Sequence, residues 1–254
     1  MNGARENAAL TPILRESGVS SDSVLVVHSA IAPLSRKGYR AEAITEALLN
    51  YVHAGTLVMP TMTWRTVTVD HPVWDELETA SITGILSEIF RTRYATARSI
   101  HPTHSAAGYG RQAASLLSRH HLDETPVSAN SPYGLMRDSD AHVLMIGVGL
   151  ETCTAIHLPE ETFAPDVYLR PTVETYDCRD RHSVIHTVRT RRHWRLDRDF
   201  PQFAPPLAEK GQLRTGDIDG CPYMIVPLRH LLDEITAAFA RDKNATLRRQ
   251  VASV

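Results

Sequence analysis

Cysteine is scarce in this chain, and a long apolar run is missing. The three cysteines, Cys153, Cys178 and Cys221, are odd in number and widely spaced. That leaves no CxxC pair for zinc and no dense disulfide framework, and it reads as three reduced thiols in a cytoplasmic protein. No apolar stretch approaches the ~20 residues of a membrane span. Met1 to Asn7 lack the basic stretch and apolar run of a secretory signal. A basic surplus is missing as well: 27 Lys and Arg face 29 Asp and Glu, a net charge of -2. Neither a nucleic-acid partner nor a membrane partner is expected from this balance.

Several catalytic templates are absent. There is no GxSxG elbow, no GxxxxGK[ST] phosphate loop and no HExxH zinc helix. Gly147 to Thr152 follow an apolar run but read GxGxxT, and no second βαβ half supports a dinucleotide site. The 13 histidines invite a metal reading. His101 and His104 are the closest candidates, but Pro102 breaks the helix that would align them, and no neighbouring acid completes a set. No metal is expected. Outside a metal site these two imidazoles read as part of a polar, solvent-facing loop.

What is present is a series of apolar runs, each followed by a chemically loaded loop. At 254 residues the chain is long enough for one large domain, and we expect a single domain over 1–254. Ser23 to His28 read as a buried strand, Arg40 to His53 as a helix, and Leu57 to Pro60 as a second strand, a βαβ order. Thr11 to Gly18, Ile82 to Phe90 and Arg111 to His121 read as further helices. Ser29 to Gly38 and the His-rich Arg98 to Tyr109 read as loops. Residues 61–80 form a long polar and aromatic loop, of a length that is usually functional. Val143 to Val148 is the third strong strand. Val167 to Val173 and Ser183 to Thr190 alternate like antiparallel strands. A last strand (Tyr223 to Val226) and a closing helix (Leu228 to about Arg241) follow, with 242–254 a tail expected to fray. The fold class is α/β: a three-layer α/β/α sandwich around a mixed sheet, parallel in its N-terminal half and antiparallel toward the C-terminus.

The third strand leads to Thr154-Ala155-Ile156-His157-Leu158-Pro159-Glu160-Glu161, at the kind of strand end where open α/β sheets hold ligands. If a helix opens there, His157 and Glu160 share a face at i and i+3, with Pro159 in the first turn where its missing N–H is harmless. A carboxylate beside an imidazole fixes its tautomer, and imidazoles ordinarily titrate near pH 6.5, which suits a general base. Thr154 is placed to donate to a developing oxyanion. The same spacing also fits an ordinary His–Glu pair at a helix start. Ser29, after His28, and Arg98 offer an anion a hydroxyl, backbone amides and a planar fork.

Five ordered blocks resemble the aminoglycoside 3-N-acetyltransferase family: Val26 to Ser29, Gly55 to Thr61, Arg98 to Ser105, Ser131 to Gly134, and Val143 to Glu160. The resemblance implies acetyl transfer from acetyl-CoA to an amine without a metal, and we expect direct transfer in a ternary complex. It implies His157 as the proton acceptor, with Glu160 and Thr154 beside it. It places acetyl-CoA at His28, Ser29, Ala30, Arg98, Ser99 and Ser105. Candidate substrate contacts are Trp64, Asp70, His101, His104, Tyr133 and Glu161. Two acidic clusters, Asp70 to Glu78 and Glu160 to Asp166, favour a cationic amine such as an aminoglycoside. Trp64 and Trp74 instead suit a different amine, so a biosynthetic N-acyltransferase stays open, as does a non-catalytic CoA-binding protein. The chain departs from the family pattern at Ala30, where a second serine is common, and at Pro159, where alanine is usual. A homodimer is possible.

Overall fold

The computed structural model describes residues 3–248. In chain order its elements are α1 (Ala4–Glu16), β1 (Val24–Ser29), α2 (Ala32–Arg36), α3 (Ala41–Tyr51), β2 (Thr56–Pro60), β3 (Val73–Asp75), α4 (Ile85–Arg93), β4 (Ala97–Arg98), β5 (Ala106–Gly110), α5 (Ala113–Leu117), α6 (Pro132–Met136), β6 (Ala141–Ile146), α7 (His157–Phe163), α8 (Pro165–Tyr168), β7 (Leu169–Arg179), β8 (Ile185–His193), α9 (Ala204–Glu209), β9 (Arg214–Ile218), β10 (Cys221–Pro227) and α10 (Leu228–Phe239). No helix among the described residues is long and apolar enough to cross a membrane.

The main sheet has the order β4-β5-β2-β1-β6-β10-β9. β1 lies between β2 and β6 and is parallel to both. All three are apolar on both faces, as a strand covered by helices on each side must be. Val24 and Val26 face one core with α5, α6, α7 and α10, whereas Leu25 and Val27 face the other with α1, α3 and α4. The sandwich therefore has the three expected layers.

The sheet differs from expectation at its edges. Antiparallel pairs occur on both sides of the parallel centre, β2–β5 and β4–β5 on one and β6–β10 and β9–β10 on the other. β4 and β5 are joined by a short turn, and only an antiparallel pair closes so quickly. β5 (Ala-Ala-Gly-Tyr-Gly) lacks the β-branched residues that signal a strand, so the span expected to be loop holds both strands. β9 was hidden by its polar sequence, which suits an exposed edge. Two helices also extend into expected loop: α1 starts seven residues earlier and runs through Pro12, and α2 occupies part of 29–38.

Residues 61–80 are an ordered wall rather than a free loop. β3 joins β7 and β8 in a second, three-stranded sheet. Trp74, Tyr176, Cys178 and Val188 form its small core with Val67. Arg98 fastens this wall to the main sheet. Its guanidinium donates to the carbonyls of Thr61 (2.9 Å), Glu76 (3.1 Å) and Thr79 (2.7 Å) and stacks 4.8 Å from the Trp74 ring. In the tail, residues 242–248 are docked through the fully buried Thr246, while 249–254 lie outside the described residues.

Trp74 has no exposed surface, so Trp74→Ala is expected to cost about 3–5 kcal/mol in urea unfolding. A loss under about 1 kcal/mol would mean the wall folds independently of its aromatic centre.

Candidate active site

Three loops meet at the carboxyl ends of β1, β2 and β6. Gly147 makes the approach possible: its φ is 67°, and a Cβ there would lie 2.3 Å from the Ala30 carbonyl oxygen. The strand end leads through a short 3-10 turn, Thr154–Ile156, into α7, whose first residue is His157. Pro159 lies in the first turn, as its chemistry requires.

His157 Nδ1 is 2.6 Å from Glu160 Oε2. Glu160 is fully buried and has two further partners. Arg198 Nε donates to its two oxygens at 2.9 and 3.2 Å, and the Thr246 hydroxyl donates to Oε1 at 2.5 Å. Burial pushes the Glu160 carboxyl up, but His157 and Arg198 outweigh it and hold the group below its ordinary range. An ionised Glu160 requires a proton on His157 Nδ1, which leaves Nε2 as the imidazole's acceptor.

His157 lines a cavity of about 1060 Å³, together with His28, Ser29, Trp64, His104 and Thr154. The size suits a drug-sized ligand or larger. The remaining expected residues lie elsewhere. Ala30 is exposed beside the strand end. Arg98 faces the wall of residues 61–80, and burial pushes its guanidinium down to about 9. The Ser99 hydroxyl pairs with His120 Nδ1 at 2.9 Å, and Ser105 donates to the Thr61 carbonyl at 2.7 Å. Tyr133 is buried in the core beneath β6. Asp70 is exposed outside the cavity.

His101 and His104 are not solvent-facing. Both are buried, and burial drives both imidazoles well below their ordinary value. His101 stacks on His120 with centroids 4.4 Å apart, and its Nδ1 accepts from the backbone amides of Thr103 and His104. The two acidic clusters do not form a cationic-substrate pocket. Glu76 pairs with Arg181, Asp75 caps Leu77 and Glu78, and Asp166 faces Arg191.

Glu161, adjacent to Glu160, makes a second imidazole–carboxyl pair with His193 at 2.7 Å and accepts from the Val127 amide. The His193 ring lies 4.2 Å from that of His157, tilted by 31°. The ligand atoms of His157, Glu160 and His193 lie within 4.8 Å of one another. Glu160, however, is already taken by three partners, and the Arg198 charge opposes a cation there.

His193, Arg198 and Thr246 were missed in the sequence. The one local signal was the run Arg191-Arg192-His193-Trp194-Arg195, unusually basic and aromatic for a strand end. The other cavity arginines are Arg65, Arg170, Arg192 and Arg195.

The family model described as aminoglycoside 3-N-acetyltransferase matches residues 26–240. The chain belongs to this family. It is 26% identical over 177 residues to the aminoglycoside N(3')-acetyltransferase-like protein YokD of Bacillus subtilis (strain 168), covering 61% of this chain and 65% of that protein. It is 33% identical over 157 residues to aminoglycoside N(3)-acetyltransferase IV of Salmonella sp, covering 60% of this chain and 58% of that protein. The chain thus aligns with less than two thirds of either relative. A structure of an aminoglycoside acetyltransferase AAC(3)-IVa mutant in complex with gentamicin superimposes with a TM-score of 0.79 at 25% identity, covering 98% of this chain and 92% of that one.

Burial pushes the Glu161 carboxyl up to about 8 and drives His193 well below its ordinary value, so the pair holds its proton on the carboxyl at neutral pH. The unfolded chain gives up that proton near pH 4.3. Between about pH 4.3 and about 8 the folded state binds the extra proton, so this group's contribution to stability falls as pH rises through that window. Glu161→Gln keeps the shape and removes the titration. Its melting temperature relative to wild type is expected to climb from about pH 5 to about pH 8; a constant difference would mean that Glu161 is ionised in the fold.

Proposed function

We propose that the protein transfers an acetyl group from acetyl-CoA to an amine. The observation that carries this reading is the His157–Glu160 pair, 2.6 Å apart, opening into a large cavity at the carboxyl edge of the sheet. Membership of the acetyltransferase family supports it, and aminoglycosides are the acceptors named for its relatives.

His157 Nε2 takes the proton of the attacking amine. The amine nitrogen bonds to the thioester carbonyl carbon, and the carbonyl becomes an oxyanion. The C–S bond then breaks, giving an acetamide and a CoA thiolate that His157 reprotonates. Glu160 keeps the imidazole in the required tautomer and stabilises its protonated form. Thr154, on the cavity wall, donates to the oxyanion. The acetyl donor runs past His28 and Ser29. Burial lowers His28 to about 4, so it acts as a neutral donor or acceptor rather than a charge. Arg98, Ser99 and Ser105 shape this edge of the site from behind, through their bonds to Thr61 and His120.

With saturating acetyl-CoA and an accepted amine, His157→Ala is expected to lower kcat at least about a hundredfold, the usual size of general-base catalysis. Thiol release measures it. Activity within about tenfold of wild type would remove His157 from the role. Glu160→Gln, which keeps a hydrogen-bonding group on the imidazole, is expected to fall between the two.

A further inference from the structure

Two imidazoles stand side by side on the cavity wall, and their hydrogen bonds run in opposite senses. His157 opens α7, and His193 ends β8. Both line the cavity, with ring centroids 4.2 Å apart. A nitrogen of each ring lies within 4.8 Å of a nitrogen of the other. Glu160 and Glu161 are consecutive on α7, so they leave the helix about 100° apart and reach different partners. His157 meets Glu160 through Nδ1 at 2.6 Å, whereas His193 meets Glu161 through Nε2 at 2.7 Å.

The two carboxyls differ in charge. Glu160 has the Arg198 guanidinium at 2.9 Å and is ionised. Glu161 accepts from the uncharged Val127 amide at 2.9 and 2.8 Å. Burial pushes it up to about 8, so it keeps its proton at neutral pH. The Glu161 O–H then donates to His193 Nε2. Burial also keeps the His193 ring neutral. A neutral imidazole that accepts at one nitrogen carries its hydrogen on the other, so His193 presents Nδ1–H. That nitrogen has no hydrogen-bond partner among the described residues. His157 presents the reverse: a hydrogen on Nδ1 toward Glu160, and an acceptor at Nε2.

Acetyl transfer needs both kinds of group. The attacking nitrogen gives up a proton, while the oxygen on the same carbon gains negative charge. The nitrogen donates and suits His157. The oxygen only accepts and suits an N–H. Fastening α7 to the end of β8 takes only the Nε2 bond and leaves Nδ1 without a role.

We propose that His193 is a second catalytic residue, whose Nδ1–H donates to the thioester oxygen as it becomes an oxyanion, with Glu161 as the positioning residue that fixes its tautomer. The inference rests on the acetyl-transfer reading and adds a donor beside the Thr154 hydroxyl. The hydrogen stays on Nδ1 throughout. A neutral donor suits this place, because a cationic His193 would oppose the proton that His157 must gain.

The test is thiol release from acetyl-CoA with the fastest acceptor among gentamicin, glucosamine and propylamine. His193→Phe keeps a ring and removes both nitrogens. It is expected to lower kcat about a hundredfold, the loss of one oxyanion donor, with both KM values within about threefold of wild type. His193→Asn puts an amide N–H where Nδ1 stands, and is expected to recover at least about tenfold of that loss. Glu161→Gln still donates to Nε2 and is expected to keep a higher kcat than Glu161→Leu, which cannot. Melting temperatures show which variants are folded. Nitrogen NMR of the wild-type protein with labelled histidine needs no variant, and is expected to find the His193 hydrogen on Nδ1 at neutral pH. The proposal is overturned by a hydrogen on Nε2, by a kcat for His193→Phe within about threefold of wild type, or by a loss confined to the acceptor KM. It is overturned as well if His193→Asn is no better than His193→Phe. In each of these cases acetyl transfer through His157 still stands. Binding of acetyl-CoA with no transfer to any of these amines would overturn both readings.

Discussion

The site depends on one buried carboxylate. Glu160 is fully enclosed, and taking its charge out of water is costly unless partners replace the lost hydration. An imidazole, a guanidinium and a hydroxyl do so, from His157, Arg198 and Thr246. Those three residues come from α7, from the segment after β8, and from beyond α10. The carboxylate therefore draws three distant parts of the chain to one point. It also sets the imidazole's tautomer, so the same contact that joins the structure orients the group proposed to carry the chemistry.

Around this anchor the polar blocks divide into two kinds. His28, Ser29 and Thr154 reach the cavity. Arg98 and Ser105 turn inward and join the His-rich turn to the wall of residues 61–80, and Ser99 pairs inward with His120. His101, His104 and His120 are interior groups whose burial keeps them uncharged. A stack of neutral imidazoles behind His157 and His193 adds packing and hydrogen bonding without adding positive charge to a region that already holds several arginines.

Those arginines come from segments outside the main sheet. Arg170 and Arg192 project from the small sheet, Arg65 from the wall, and Arg195 and Arg198 from the segment after β8. The ends of the parallel strands supply one side of the cavity, and the added hairpin and the segments beside it supply its arginines. Different layers of the structure thus contribute different groups to one cavity.

The apolar runs of β1, β2 and β6, the helical spacing of α3, and the His157–Pro159–Glu160 spacing were legible because each is a local pattern with a local physical cause. β5 was not legible, since its small residues are chosen for close packing: a Cβ at Gly108 would lie 2.8 Å from Leu117. Direction of pairing at the sheet edges, the inward turn of Arg98 and His101, and the burial of Thr246 depend on what each group meets across space. The sequence alone determined that a histidine and a glutamate three residues apart open the helix that follows the strand end. Only the tertiary structure decided that Arg198 and Thr246 hold Glu160, and that guanidinium groups outnumber carboxylates on the cavity wall, because a charge is defined by its neighbours and those neighbours are remote in the chain.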